Sequence, residues 1–286
     1  MSIHEQDLFT GKNKVETAIE RIRQFCKGKK VLVAFSGGKD SQCCYHLAKD
    51  AGIEFDAQYS ITRFEPPELI QFIRKNYPDV KFRRAYKMSL VDEIELRGLP
   101  SRWSRWCCGA KHKKTEGYDI AIIGIRWQES ARRKKRWSMF GQKQDRTFYV
   151  CPICDWSEQE VWEYLNEKGV PHCCLYDEGY KRIGCVCCPL TANMRDEEIK
   201  RYPKIVRALR IGYMKYISRT DFKSDKTLNI TAQCRQDPDK YFNMWLKYGA
   251  TGGLEESKEL DEPCLFAGTG FSESDAGENN EIGDKE

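Results

Sequence analysis

The 286-residue chain is 40% hydrophobic and 32% charged, carries a formal net charge of +5 and contains fourteen cysteines. This length accommodates one large α/β domain or a domain with an appendage. No apolar run approaches the roughly 20 residues of a membrane-spanning helix, and the first seven residues lack the basic-then-apolar pattern of a secretory signal. We therefore expect a cytoplasmic protein without a membrane partner, whose clustered thiols indicate metal or redox chemistry rather than disulfides.

The charge is unevenly distributed along the chain. Residues 272–286 contain six acidic side chains and one basic side chain, which leaves 47 basic and 37 acidic side chains in the rest. A basic body of this kind favours a polyanionic partner. The acidic tail is nearly free of apolar residues, and we expect it to be disordered.

The first predicted elements form a helix–strand–loop–helix series. Apolar residues at helical spacing predict an amphipathic helix over residues 14–26. A buried strand at Val31–Phe35 leads into Ser36-Gly37-Gly38-Lys39-Asp40-Ser41 and a helix that ends near Gly52. The two glycines allow a tight turn. Strand, turn and helix start then aim unpaired backbone N–H groups at one point, where a phosphate binds well.

Strands and helices continue to alternate downstream. Strands are predicted at 54–61, 80–83 and 118–124, and a helix begins at Pro66-Pro67. This alternation predicts an α/β fold with an open, mostly parallel sheet and helices on both faces. Ligands of such sheets lie beyond the carboxyl ends of the strands, so Ser36–Ser41 and Gly124-Ile125-Arg126 should share one edge. The next basic residues would lie beside bound phosphates or in a solvated loop: Arg132, Arg133, Lys134, Lys135 and Arg136.

The C-terminal part of the chain is predicted to be mainly helical. Ser157 and Glu160 have the spacing of a capping box at a helix start. Residues 199–217 have a helical pattern, whereas 221–253 have a mixed one. The expected organisation is an α/β nucleotide-binding domain over 1–190, a mostly helical region over 191–271 and the acidic tail over 272–286.

Two cysteine clusters stand out, Cys107-Cys108 and Cys185-Val186-Cys187-Cys188. Four thiolates from two loops suit an iron–sulfur cluster. Two alternatives stay open: inert thiols, or zinc held by the Cys-x-x-Cys pairs Cys151/Cys154 and Cys185/Cys188. The adjacent pairs Cys43-Cys44 and Cys173-Cys174 are predicted to pack in the interior.

The string Ser36–Ser41 resembles the pyrophosphate loop of the N-type ATP pyrophosphatases, which split ATP between its α and β phosphates. From about Val31 to Arg201 the chain resembles the phosphoadenosine phosphosulfate (PAPS) reductase family of that superfamily. Further matching pieces are Glu65-Pro66-Pro67-Glu68, Arg105-Trp106-Cys107-Cys108 with Lys111, Gly124-Ile125-Arg126 with Glu129, Ser130 and Arg133, Pro152–Trp156 with Val161-Trp162, and Leu175-Tyr176 with Gly179-Tyr180 and Ile183-Gly184-Cys185.

The resemblance implies an adenine nucleotide alpha hydrolase-like fold that binds ATP with Mg²⁺. It implies nucleotide contacts from Ser36, Gly37, Gly38, Lys39, Asp40, Ser41, Gly124 and Arg126. It also implies a 4Fe–4S cluster, as in cluster-bearing adenylyl-sulfate reductases, with ligands Cys107, Cys108, Cys185 and Cys188. Cys187 is then an additional thiol.

Two departures from the reductases bear on the reaction. Sulfonucleotide reductases carry a catalytic cysteine in a Glu-Cys-Gly-Ile/Leu-His segment, whereas no histidine follows His172 here, and the late cysteines are Cys234 and Cys264. The loop also keeps the complete Ser-Gly-Gly-x-Asp-Ser pattern, which is usually degraded in reductases. An intact loop with cluster thiols resembles sulfur-inserting enzymes, namely tRNA thiolases and the ATP pyrophosphatases of DNA phosphorothioation.

The sequence therefore predicts an ATP pyrophosphatase that adenylates DNA or tRNA for sulfur insertion, with a cysteine desulfurase as sulfur donor. Its catalytic residues would be Lys39, Asp40, Arg126 and Cys187. An open iron of the cluster could carry the sulfur, or Cys187, Cys234 or Cys264 could carry it as a persulfide. Four tryptophans would either stack on bases or pack: Trp103, Trp106, Trp127 and Trp137. The alternatives are a sulfite-forming reductase of PAPS or adenylyl sulfate and a non-catalytic adenine-nucleotide-binding subunit.

Overall fold

A computed structural model describes residues 3–84, 87–101, 106–108, 115–143, 147–191, 195–222 and 225–248. The predictions for Trp103, Arg105, Lys111, Cys264 and the acidic tail lie outside these ranges. Across the described ranges, no helix has both the length and the apolar character that crossing a membrane requires.

The described strands form one six-stranded sheet, in the order β3-β2-β1-β4-β6-β5. All neighbouring pairs are parallel except β5 and β6, which are antiparallel. The strands are β1 (Val31–Ala34), β2 (Asp56–Ile61), β3 (Lys81–Arg84), β4 (Ile120–Ile122), β5 (Phe140–Gln142) and β6 (Phe148–Val150). The predicted open, mostly parallel α/β sheet with C-terminal helices is confirmed.

The helices of the described ranges are α1 (Lys14–Cys26), α2 (Lys39–Asp50), α3 (Pro67–Asn76), α4 (Leu90–Arg97), α5 (Ala131–Arg136), α6 (Glu158–Glu167), α7 (Arg195–Arg201), α8 (Pro203–Ser218), α9 (Asp225–Gln236) and α10 (Pro238–Tyr248). Short 3₁₀ helices cover Trp127–Glu129 and Cys174–Tyr176. The predicted capping box at α6 is present, since Ser157 Oγ accepts from the Glu160 N–H and the Glu160 carboxylate accepts from the Ser157 N–H. The helix predicted over 199–217 is interrupted by Pro203, which begins α8.

The strand β1 lies at the point where the strand order reverses. Val31, Leu32 and Val33 are almost completely buried, and Leu32 pairs with β2 on one side and β4 on the other. Such two-sided burial explains the uninterrupted apolar run, and each aliphatic side chain contributes roughly 1.5–3 kcal/mol of stability. Because β2 and β4 extend from β1 in opposite directions across the sheet, the crevice beyond its carboxyl end is the expected ligand position.

The chain divides into two compact units. Unit 1 comprises Met1–Ala85 and Ala110–Cys185 and contains the sheet, whereas unit 2 comprises Tyr86–Gly109 and Val186–Glu286. Within unit 2, α4 packs along α8, and a Cβ added at Gly212 would lie 2.7 Å from Cβ of Ile94. The segment 86–109 therefore groups with the C-terminal helices, which no local pattern in the sequence indicates. The predicted boundaries at 190 and 271 stay predictions.

Candidate active site at the carboxyl end of the sheet

The loop between β1 and α2 is closed by its two serines. Ser41 Oγ accepts hydrogen bonds from the Ser36 N–H (3.1 Å) and the Ser36 hydroxyl (3.0 Å), and it donates to the Gly38 carbonyl (2.8 Å). Gly37 has φ +74°, and a Cβ there would lie 2.7 Å from Cδ1 of Leu69. Glycine is therefore required at this turn for its backbone angle and for the space it leaves.

Gly124, two residues beyond β4, packs against the first turn of α2. A Cβ at Gly124 would lie 2.8 Å from the backbone oxygen of Asp40. A backbone atom cannot rotate away as a side chain can, so this approach needs glycine. The structure thus brings together the two segments that the sequence places on one edge of the sheet, Ser36–Ser41 and Gly124–Arg126.

Arg126 connects the end of β4 to the loop. Its Nε donates to Oδ1 of Asp40 at 2.5 Å, and its Nη1 donates to Oε1 of Gln128 at 3.1 Å. Its backbone N–H donates to Oε2 of Glu129 at 3.2 Å. Only 4% of Arg126 is exposed, so its charge acts in a shielded environment where electrostatic interactions are stronger than in water.

Lys39 is buried at the start of α2, with 3% of its surface exposed. Its Nζ lies 3.1 Å from Oε1 of Glu158 and donates to the Lys181 carbonyl at 3.0 Å. Its backbone N–H donates to the Tyr176 hydroxyl at 2.9 Å, and burial raises the pKa of that phenol. One ammonium and one guanidinium therefore lie beside the helix start, both held by contacts within unit 1.

A second loop on this edge follows β2 and was not predicted as a structured element. The Glu65 carboxylate accepts from the backbone N–H groups of Thr62 (2.5 Å) and Arg63 (2.7 Å). Arg63 has φ +71°, which non-glycine residues rarely adopt. Thr62 Oγ1 lies 3.4 Å from Sγ of Cys185, so one predicted cluster ligand is placed at this edge. The one feature of the sequence that could have indicated this loop is the glutamate, Glu65, directly before Pro66-Pro67.

The cysteines predicted to bind the cluster differ in exposure. Cys107 is buried, Cys108 is exposed, and Cys185 and Cys188 are partly exposed. Cys187 is 1% exposed, has φ +52°, and donates its N–H to Oε2 of Glu198 at 2.7 Å. Among the described residues, no three His, Cys, Asp or Glu side chains are arranged to hold a metal ion. The iron–sulfur cluster and its four ligands therefore stay a prediction.

The zinc alternative concerns Cys151 and Cys154 in unit 1. Both are 0% exposed, and burial raises the pKa of Cys151 to about 12 and that of Cys154 to about 11. Zinc binds the thiolate and would itself lower the pKa of a coordinating thiol, so these values do not decide between zinc ligation and inert thiols, and the zinc alternative stays a prediction. Of the two pairs predicted to pack, Cys43, Cys44 and Cys173 are buried. The prediction is wrong for Cys174, which begins a 3₁₀ turn and is exposed.

The aromatic and basic residues after Arg126 have distinct environments. Trp127 and Trp137 pack against a buried cluster that includes Ala121 and Tyr149, and Nε1 of Trp127 donates to the Trp137 carbonyl. In unit 2, Nε1 of Trp106 donates to the Gly98 carbonyl. The basic run forms the short helix α5, in which Arg133 is paired with Glu129.

Comparison with known proteins identifies the family. Residues 30–191 match the model of the phosphoadenosine phosphosulfate reductase domain. The chain belongs to this family. The predicted membership of the PAPS reductase family is thereby confirmed, and members of this family are enzymes.

Individual relatives of this PAPS reductase family member are distant. An uncharacterised protein of Methanocaldococcus jannaschii is 28% identical over 78% of this chain, which spans 56% of that relative's length. An adenosine 5'-phosphosulfate reductase of Shouchella clausii is 26% identical to this chain. The match covers 62% of this chain and 78% of the reductase. The crystal structure of a PAPS reductase from Candida auris, a phosphate complex, aligns with 14% sequence identity and a TM-score of 0.47. The alignment covers 63% of this chain and 98% of the reductase chain.

Proposed function

We propose that this protein is an ATP pyrophosphatase that adenylates a nucleic acid, DNA or tRNA, for sulfur insertion. The observation that carries the proposal is the closed Ser36–Ser41 loop, with Lys39 and the Asp40–Arg126 pair gathered at the start of α2. This arrangement combines the three features that binding a triphosphate requires: helix N–H groups, fixed cations and a carboxylate.

The pyrophosphate portion of ATP would bind at the N-terminus of α2. Gly38 is the N-cap, so the positive end of the helix dipole faces this position, although the Lys39 and Ser41 N–H groups already donate to the Tyr176 hydroxyl and the Gly38 carbonyl. Lys39 and Arg126 add two charges. Mg²⁺ is usually bound by one or two carboxylates together with substrate phosphates. Asp40 fits this role, because Arg126 engages Oδ1 and the second carboxylate oxygen remains for the ion.

The reaction solves a leaving-group problem. Oxide is a poor leaving group, so an oxygen of the acceptor first attacks the α-phosphorus of ATP, and the bond to the β-phosphate oxygen breaks to release pyrophosphate. Lys39 and Arg126 stabilise the negative charge that develops on pyrophosphate. A sulfur nucleophile at the oxidation level of hydrosulfide then attacks the activated centre, and AMP departs with the acceptor's oxygen.

We assign no sulfur-carrying role to Cys187, since a persulfide there would be shielded from an acceptor. The donor we propose is external: a cysteine desulfurase carries the sulfur as a persulfide, and a thiol reductant, which is oxidised to a disulfide, releases it as hydrosulfide after adenylation.

A sulfite-forming reductase is the second candidate, because named relatives such as the Shouchella clausii protein are adenosine 5'-phosphosulfate reductases. The described late cysteine does not support it. Cys234 lies buried in α9, and burial raises the pKa of its thiol, whereas a catalytic thiol needs an accessible thiolate.

Product analysis separates these functions. Purified protein is incubated with ATP, Mg²⁺, sulfide and total tRNA or genomic DNA, and separately with adenylyl sulfate or PAPS and a thiol reductant. We expect equal amounts of AMP and pyrophosphate that depend on nucleic acid, and no sulfite. Sulfite formation would establish the reductase instead, and nucleotide binding without any turnover would favour a non-catalytic subunit.

A further inference from the structure

A cavity of about 560 Å³ lies next to the loop network within unit 1. Its lining includes Lys14, Trp127, Gln128, Lys134 and Gln159. The volume falls in the range of about 300–1,000 Å³ that is typical of ligand-binding pockets. An aromatic ring, two amides and two ammonium groups can together recognise a flat, polar molecule.

Gln128 connects this cavity to the nucleotide-binding residues. Its Oε1 accepts from Nη1 of Arg126 at 3.1 Å and from the backbone N–H of Glu158 at 2.8 Å. The Glu158 carboxylate lies 3.1 Å from Nζ of Lys39. A molecule in the cavity would therefore be separated from the triphosphate-binding groups by one layer of side chains.

The two carboxylates that line the cavity are each paired with a basic side chain. Glu160 is paired with Lys14 at 2.6 Å, and Asp155 with Arg21 at 2.7 Å. Lys134 is exposed and forms no ion pair within the described part of the chain. Lys134 is thus the uncompensated cation at the cavity wall.

Lys134 also belongs to α5, whose exposed face is basic. Arg132, Lys135 and Arg136 are exposed, and within the described ranges only Arg133 of this helix is paired with a carboxylate. Unpaired surface cations repel each other unless a polyanion neutralises them, so their clustering favours a phosphate backbone as the partner.

We propose that the cavity receives a base of a single-stranded nucleic-acid segment while α5 holds the flanking phosphates. This inference rests on the proposed function and names the surface that binds its acceptor. Trp127 provides an aromatic surface for the base, Gln128 and Gln159 provide hydrogen-bonding groups, and the placement beside Arg126 brings the acceptor to the activated phosphate.

Charge reversal on α5 tests the proposed contacts with the phosphates of the nucleic acid. Binding of fluorescent single-stranded RNA and DNA oligonucleotides is measured without ATP over a range of salt concentrations, with the K134E/K135E double variant. We expect affinity to fall about tenfold or more and the salt slope to decrease by about 1.4. The control K27E/K75E makes the same charge change at exposed lysines of α3 and the α1 terminus and should cause a much smaller loss.

A variant that fills the cavity tests whether the cavity binds a base of the nucleic acid. Gln159→Trp should weaken oligonucleotide binding but leave ATP binding and the binding of inorganic polyphosphate unchanged, and Gln24→Trp, on the exposed face of α1, should change none of them. Equal losses in both double variants, an unaffected Gln159→Trp protein, or reduced ATP binding in that variant would overturn the inference.

The experiments distinguish failure of the cavity assignment from failure of the proposed adenylation. Wild-type protein that binds no oligonucleotide but forms AMP refutes the cavity assignment alone. Protein that binds oligonucleotides through Lys134 and Lys135 but forms no AMP refutes the adenylation alone. Comparison of RNA with DNA of the same sequence identifies which acceptor this surface prefers.

Discussion

Arg126 Nε donates a hydrogen bond to Oδ1 of Asp40 at 2.5 Å, which joins the residues after β4 to the first turn of α2. Arg126 is almost fully buried, whereas 23% of the Asp40 side chain is exposed. The pair therefore combines a fixed cation with a carboxylate that solvent and a metal ion can still reach. Both requirements of the proposed chemistry, charge stabilisation and Mg²⁺ binding, converge on these two residues.

Removal of the Arg126 side chain should damage both stability and activity. Arg126→Ala leaves Asp40 without its partner in a shielded site, and we expect a loss of about 2–4 kcal/mol in the free energy of unfolding. Urea denaturation measures this change. Arg132→Ala, a neighbouring exposed arginine, should shift stability by no more than about 0.5 kcal/mol. Equal effects of the two variants would show that the Asp40–Arg126 pair has no structural role.

Gly37 and Gly52 form a matched pair for testing the loop. Both have positive φ, +74° and +67°, but a Cβ at Gly52 meets nothing within 4 Å, whereas one at Gly37 meets Leu69 and Ile73. Gly37→Ala should therefore destabilise the protein by about 1–3 kcal/mol more than Gly52→Ala, because only the former adds a steric conflict. Thermal unfolding of both variants gives the difference, and identical melting temperatures would contradict the tight turn.

Lys39 should matter for turnover more than for folding. Lys39→Met keeps the length of the side chain but removes the ammonium beside the α2 N-terminus, and we expect AMP formation to fall about 10²–10³-fold. The partner variant Glu158→Gln should have a much weaker effect, since half of the Glu158 side chain is exposed. Steady-state rates of AMP release are measured for both variants and the wild-type protein. A wild-type rate for Lys39→Met would refute the role assigned to the Lys39 ammonium.

The buried thiols predict a loss of stability at high pH. Burial raises the pKa of Cys151 to about 12 and that of Cys154 to about 11, above the ordinary value of about 9. The unfolded chain therefore releases these protons first, and the free energy of unfolding falls by about 1.4 kcal/mol per pH unit and thiol between pH 9 and the folded-state pKa. Cys154→Ala should reduce this slope, whereas Cys174→Ala, at an exposed thiol, should not.

The part of the site that follows local rules was predictable from the sequence. The apolar run of β1, the glycines of the loop and the Ser157–Glu160 capping box each depend on residues near one another in the chain. The contacts of Lys39 with Glu158, Tyr176 and Lys181 join residues more than 110 positions apart. No periodicity encodes such contacts, and only the folded topology shows them.

The strands β5 and β6 and the grouping of α4 with α8 were also beyond local reasoning. Both strands are three residues long, which is too short for an alternating pattern. The α4–α8 contact depends on the small surface of Gly212 facing Ile94. The pair Cys173-Cys174 has no Cys-x-x-Cys partner, which predicts packing for both thiols, but the adjacent side chains point in different directions and Cys174 is exposed.

Pyrophosphate exchange tests the central claim most directly. Protein is incubated with ATP, labelled pyrophosphate, Mg²⁺ and nucleic acid in the absence of a sulfur donor, so that adenylation can only run forward and back. We expect label to enter ATP only when nucleic acid is present. The Lys39→Met variant should incorporate no label into ATP. No exchange in the wild-type protein, or the formation of ADP and phosphate instead, would contradict cleavage between the α and β phosphates at this loop.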